Sequence, residues 1–331
     1  MAFDGITIAA VTKELKETLE GGRISKIAQP EADELLLTVK TPAGQRRLCI
    51  CASASLPLIY LTDENKTSPM QAPGFCMLLR KHIGSGRIIS ISQPKMERII
   101  RFEIEHLDEM GDLCSKTLIV ELMGKHSNII FCDDSDRIID SIKHISAQTS
   151  SVREVLPGRD YFIPDTMHKL DPLTVAQEDF ITALRTKGGP LSKALYTSFT
   201  GISPVVAEEI CYLAALESRM TAEDLSGDML VHLYRQFSYY MEQVSLGDFS
   251  PAIYYEGREP KEISALPLSH FSNYRREEFP SISQVIRTYY SSREALTRIR
   301  QKSADLRHVV QAALERNRKK YDLQSRQLRD T

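Results

Sequence analysis

The sharpest chemical signal in the sequence is Thr200-Gly201-Ile202-Ser203-Pro204, a short link between two helical runs. Ser203 suits an N-cap, Pro204 suits the first helical position, and Gly201 supplies a tight turn. Such a hairpin turns the free N–H groups and positive end of its second helix toward a phosphate. That is the physics of a helix-hairpin-helix clamp on nucleic-acid backbones, and equally of a plain αα-hairpin with a well-built cap. Arg80-Lys81-His82 forms a second cluster at a helix end. One cation there answers the helix dipole, whereas three, followed by Arg87, Arg98 and Arg101, make a candidate phosphate surface. Strand alternation sends Arg98 and Arg101 to opposite faces, so only part of that set serves one ligand. A third cluster runs from Glu121 to Asn128, where Gly124 permits a sharp turn and Lys125, His126, Ser127 and Asn128 gather polar groups. A strand follows it and no earlier glycine sits at Walker spacing, so a P-loop is rejected.

Catalytic patterns are missing. The sequence holds no GxSxG elbow, no HExxH helix and no CxxC pair. Its cysteines, Cys49, Cys51, Cys76, Cys114, Cys132 and Cys211, lack metal-ligand spacing and read as reduced, mostly buried thiols. Neither an enzyme nor a cofactor is expected.

The elements that position these residues fall into two regimes. Val11, Leu15, Thr18 and Leu19 recur at helical spacing, and Gly21-Gly22 stops that helix. Strand-like runs follow at 23–28, 35–40, 46–52 and 56–62, the second and third joined by a turn at Pro42-Ala43-Gly44. A helix is expected over 74–83, stopped by Gly84 and Gly86. Strands resume at 87–92, 98–105, 116–123, 128–132 and 137–142. So many strands with so few helices between them exclude βαβ crossovers and predict an antiparallel α+β domain. Beyond Asp171 the pattern becomes helical: 173–185, 191–200, 204–216, then a capping-box variant at Thr221 and Asp224 opening a helix to about Val244. Residues 251–271 read as irregular to strand-like. Leu296, Ile299, Leu306, Val310, Leu314, Tyr321 and Leu328 then form a coiled-coil-like seam with a stutter. The sequence stops at Thr331 without Gly or Pro, as expected of a chain ending inside a helical hairpin.

Composition agrees with a globular protein of 331 residues, 42% hydrophobic and 26% charged. The net charge of −2 hides an asymmetry: residues 287–331 carry 12 Lys/Arg against 5 Asp/Glu, and the rest 30 against 39. A basic tail on an acidic body suggests a polyanionic partner. No secretory signal and no apolar run of membrane length is visible, so a cytoplasmic protein without a membrane partner is expected.

Several strings, in order, resemble the NFACT family in its bacterial, RqcH-type branch. They are Phe3-Asp4-Gly5, Gly21-Gly22-Arg23-Ile24, the run from Phe75 to Ile83, Glu121 through Asn128, Asp140 to His144 and Leu156-Pro157-Gly158. The resemblance implies an NFACT-N domain over 1–172, with a fold similar to the N-lobe of formamidopyrimidine-DNA glycosylases. It further implies a helix-hairpin-helix domain with an irregular return segment over 173–285 and the start of a coiled-coil arm over 286–331. Glycosylase chemistry does not come with it, because that class uses an N-terminal proline followed by glutamate and a zinc finger, and this chain has Ala2-Phe3 and no paired cysteines.

Members of this family recognise a 50S ribosomal subunit blocked by peptidyl-tRNA and recruit tRNA, in bacteria tRNA-Ala. The ribosome then adds C-terminal alanine to the stalled chain without mRNA. The resemblance therefore implies rRNA, tRNA and the peptidyl-tRNA nascent chain as partners. The family's tRNA-contacting Asp-Arg pair falls on Glu97-Arg98, with glutamate one methylene longer than the pattern, and a second acidic position falls on Asp4. The candidate RNA-backbone contacts remain Arg80, Lys81, Lys125, His126, Gly201 and Ser203. A fibronectin-binding surface adhesin and a nucleic-acid-processing protein on a glycosylase-like scaffold are the competing classes.

Overall fold

The computed structural model describes residues 3–327, without the side chains of 292–302 and 305. The chain divides into two compact units, 1–286 and 287–331. The first opens on helix α1 (Gly5–Leu19), whose buried positions Ile8, Val11, Leu15 and Leu19 follow helical spacing. Nine strands follow: β1 (Arg23–Glu31), β2 (Glu34–Thr41), β3 (Gly44–Cys51), β4 (Leu58–Thr62), β5 (Arg87–Ser92), β6 (Ile99–Leu107), β7 (Leu113–Glu121), β8 (Asn128–Cys132) and β9 (Ile138–Ser141). Helix α2 (Gly74–Ile83) stands between β4 and β5.

The strands form one antiparallel sheet in the order β4-β3-β2-β1-β5-β6-β7-β8-β9, and its two halves meet where Arg23 pairs with Arg87. This is the α+β arrangement expected from closely spaced strands. Alternation along β6 buries Phe102, Ile104 and His106 on one face, while Ile99 joins Ile119, Ile130, Cys132 and Tyr161 on the other.

The helical segment comprises α3 (Gln177–Lys187), α4 (Leu191–Ser198), α5 (Pro204–Leu213) and α6 (Gly227–Leu246). Phe180, Phe199 and Phe237 bind α3, α4 and α6 into one core, with ring centroids 4.9–5.1 Å apart. Two expectations shift here. Helix α3 begins at Gln177, not Leu173, because the Asp171 carboxylate accepts the Leu173 N–H at 2.9 Å and closes a turn. The Thr221–Asp224 capping box opens a single 3-10 turn over Ala222–Asp224, and Ser226 then caps α6 separately.

The return segment, expected as irregular to strand-like, is built of strands. Strands β10 (Ala252–Glu256), β11 (Glu259–Ser264) and β12 (Arg275–Glu278) form a second antiparallel sheet in the order β11-β10-β12. The charged sequence of β12, Arg-Arg-Glu-Glu, hides it from hydrophobic patterning.

Helix α7 (Ile282–Gln327) starts at Ile282, ahead of the expected 286, because Ser281 accepts the Gln284 N–H through its hydroxyl. Of the expected seam, Leu306, Val310, Leu314 and Tyr321 are exposed. Leu328 and the side chains of Leu296 and Ile299 lie outside the described residues. No helix among the described residues is long and apolar enough to cross a membrane.

Candidate functional site

Asp4 and Ser203 cap two different helices and meet each other. Asp4 has extended backbone, and its carboxylate accepts the Thr7 N–H at 2.8 Å as the N-cap of α1. Ser203 caps α5, with Pro204 in the first turn. The Ser203 hydroxyl donates to the other Asp4 oxygen at 2.6 Å. One residue on, the Gly5 N–H donates to the Gly201 carbonyl at 3.0 Å. Two helix starts, 199 residues apart, are thereby joined.

A third segment closes the junction. Gln93, just past β5, donates its side-chain amide to the carbonyls of Gly5 and Glu97 at 2.8 and 2.9 Å. The chain then turns through Lys95 and Met96, both left-handed at φ 44° and 60°, and delivers Glu97 and Arg98 to the start of β6. The packing leaves no room for side chains at two positions. A Cβ on Gly5 would lie 2.3 Å from the Met96 carbonyl oxygen, and one on Gly201, at φ 80°, 2.5 Å from the same atom.

Charge concentrates at this junction. Burial raises the Asp4 carboxyl above the usual carboxylate range, against the hydrogen bonds from Ser203 and Thr7. Burial also raises Glu97, partly offset by the charges of Lys169 and Arg98. Arg98 is lowered by burial against the attraction of Glu97 and Asp4, and Lys169 is lowered by burial and by Arg98. Lys169, whose ammonium donates to the Tyr196 carbonyl at 2.9 Å, carries no local sequence signal, and its place here is a tertiary result. Asp4, Ser203 and Gly201 are committed to holding the junction, and the half-buried Glu97 and Arg98 sit at its rim.

The other candidates lie elsewhere. Arg80 and Lys81 occupy the last turn of α2, where Arg80 Nε donates to the Ile27 carbonyl at 2.8 Å and Lys81 pairs with Glu109 at 2.9 Å. Lys125 and His126 are exposed on a 3-10 turn between β7 and β8. Their buried neighbours are structural: Ser127 Oγ accepts the Met123 N–H, and the Asn128 side chain both donates to and accepts from the Lys143 backbone. Glu121, fully buried at the end of β7, ion-pairs with Arg153 and accepts the Tyr161 hydroxyl at 3.2 Å. Sequence reading placed Glu121 in a motif but missed its partner.

The thiols are poor nucleophiles. Burial, abetted by nearby carboxylates, pushes Cys49, Cys132 and Cys211 up to about 12.

Residues 4–331 match the family model for the NFACT N-terminal and middle domains. The chain belongs to the NFACT family. It is 34% identical over 322 residues to the Rqc2 homolog RqcH of Bacillus subtilis, covering 97% of this chain and 54% of that protein. The archaeal Rqc2 homolog aRqcH of Methanocaldococcus jannaschii is 25% identical over 293 residues, 86% of this chain and 42% of that protein. The solved N-terminal part of the fibronectin/fibrinogen-binding protein from Streptococcus suis superposes with a TM-score of 0.72 at 33% identity, covering 88% of this chain and 100% of that one. The chain spans about half the length of the curated bacterial relatives it matches.

Proposed function

We propose that this chain supplies the N-terminal and middle domains of a cytoplasmic ribosome quality control factor. In this reading it binds the 50S subunit obstructed by peptidyl-tRNA and recruits tRNA, expected to be tRNA-Ala, for mRNA-independent tailing of the stalled chain. Peptide-bond chemistry belongs to the ribosome, and the chain is not an enzyme. Residues 1–172 serve as the NFACT-N domain, 173–285 as a helix-hairpin-helix domain and 286–331 as the start of a coiled-coil arm.

The observation that carries this reading is the convergence of Asp4, Glu97 and Arg98 on one junction, with relatives named for ribosome quality control over most of the chain. The planar Arg98 guanidinium, in the field of the Glu97 and Asp4 carboxylates, is suited to engage a phosphate or stack on a base. A rim carboxylate such as Glu97 accepts hydrogen bonds from base edges or ribose 2′-hydroxyls, which is how it contributes despite phosphate repulsion. Asp4 acts through position, since both its oxygens are already engaged.

The test is tRNA recovery on the full-length protein carrying Glu97→Ala with Arg98→Ala. Loss of bound tRNA with unchanged circular dichroism and melting temperature is expected, and undiminished recovery would sink the assignment. Co-sedimentation of the unaltered protein with 50S particles bearing peptidyl-tRNA tests the ribosomal half. The Streptococcus suis relative is described as fibronectin/fibrinogen-binding. Saturable binding to immobilised fibronectin, with no retention on 50S particles, would favour that second reading.

A further inference from the structure

A groove of about 620 Å³ opens between β1, the end of α2 and the far end of β6. Arg23 and Lys26 of β1, Arg80, Lys81 and His82 of α2, and His106 of β6 line it. Among the described residues, no aspartate or glutamate lines the groove. Outside the lining, Glu109 pairs with Lys81 at 2.9 Å, with both side chains well exposed. Such an exposed pair is weak and yields to a competing anion.

The helix dipole accounts for a cation or two at the end of α2, but not for Arg23 and Lys26 across the groove. Their placement depends on a register shift in β1 between Ile24 and Lys26. Strict alternation would send Arg23 and Lys26 to opposite faces, and the bulge re-aims the strand so that both line one cavity. Three residues along a strand span roughly 10 Å, too far for a single phosphate and suited to successive ones. The cations are also held rather than splayed: Arg23 donates to the Ser85 carbonyl at 3.3 Å and Arg80 to the Ile27 carbonyl at 2.8 Å. Each uses part of a five-donor fork for that anchorage.

An independent observation points to a ligand. His106 is 8% exposed, its Nδ1 lies 3.1 Å from the Leu107 carbonyl, and its Nε2 is buried without a hydrogen-bond partner. With Nδ1 carrying the proton, Nε2 is a buried acceptor left unpaired, which is unfavourable until a donor reaches it. His82 stands edge-on to it with ring centroids 6.3 Å apart. A ligand that brings both phosphate charge for the cations and a hydroxyl donor for His106 answers the whole lining, and a ribose-phosphate chain is that chemistry.

We propose that this groove is a second RNA-binding site, built to hold consecutive backbone phosphates of an RNA strand against Arg23, Lys26, Arg80 and Lys81. The choice of RNA rests on the function proposed above, while the anion-binding geometry stands apart from the Glu97–Arg98 junction.

Binding of a fluorescent 12-nucleotide single-stranded RNA to the full-length protein, followed by anisotropy across a salt series, tests it. Arg23→Gln, Lys26→Gln and Lys81→Gln are combined, and Arg80 is kept because it anchors to β1. The triple variant is expected to bind 10-fold to 100-fold more weakly, with the salt slope reduced by about 2 from loss of counterion release. The Glu97→Ala, Arg98→Ala variant is measured in parallel: it should keep the part of the salt slope that the triple variant loses, and a slope lost there but kept in the triple variant would place the 12-mer at the junction and overturn the groove proposal. Unchanged affinity and slope in a folded triple variant overturn the proposal. So does displacement of the RNA by micromolar ATP or inorganic phosphate, which would indicate a small phosphorylated ligand. Equal competition by polyglutamate also overturns it, in favour of an acidic protein partner.

Discussion

The Ser203 hydroxyl, which caps α5, donates at 2.6 Å to the carboxylate of Asp4, which caps α1. A single carboxylate therefore terminates one helix and orients the cap of another. Asp4→Ala should lose about 1 kcal/mol for the cap and about 1–3 kcal/mol more for the stranded Ser203 hydroxyl. Asp4→Asn keeps an acceptor for Thr7 but turns an amide donor toward the Ser203 hydroxyl, so it should recover only the cap, about 1 kcal/mol. Urea denaturation of both variants checks the pair; equal losses would show that the carboxyl oxygen is not what holds the junction.

Close approach of backbones makes a second prediction. Gly201→Ala places a methyl 2.5 Å from the Met96 carbonyl oxygen at a φ of 80°, and should destabilise by more than about 1 kcal/mol. Gly227→Ala is the control, because its Cβ would meet nothing within 4 Å and it sits at the start of a helix. Thermal melting should show a clear drop for the first and none for the second.

The Glu121–Arg153 pair is a buried charge couple, with side-chain exposures of 0% and 13%. Burial raises the Glu121 carboxyl, and the Arg153 charge and hydrogen bond oppose that rise. Arg153→Ala strands the carboxylate and should cost about 3–5 kcal/mol. Glu121→Gln, which leaves no buried charge on β7, should cost less. Reversal of that order in denaturant melts would contradict the assignment of Arg153 as the essential counter-charge.

Acid stability should be sensitive to Glu209. Burial raises this carboxyl, but hydrogen bonds from the His270 ring at 2.5 Å and from the Ser269 and His270 N–H groups outweigh it and hold the group below the usual range. The unfolded chain therefore takes up this proton first as pH falls. The stabilisation is complete above the ordinary glutamate value of roughly 4.3 and is lost as pH drops through the lower folded value. Glu209→Gln should be less stable than the unaltered protein at neutral pH, with the gap closing below roughly pH 4. A gap that stays constant from pH 7 to 3 would refute this linkage.

What the sequence determined by itself was local. Gly74–Ile83, Arg87–Ser92 and Asn128–Cys132 were legible to the residue because turn glycines, caps and alternating apolar side chains act within a few neighbours. The antiparallel character of the large sheet followed from strand spacing, and the family from ordered motif strings. Strand β12 was not legible, since its four charged residues form a strand only by pairing with β10. The tertiary structure alone decided that Asp4, Gln93 and Ser203 share one junction, that Lys169 joins it, and that Arg153 reaches Glu121. It also decided that Arg23 and Lys26 face Arg80 and Lys81 across one groove. These contacts span tens to hundreds of residues and form only once hydrophobic burial has fixed the elements. Their side chains carry no periodic signal, because charge and hydrogen-bond partners are chosen by proximity in space and not by spacing along the chain.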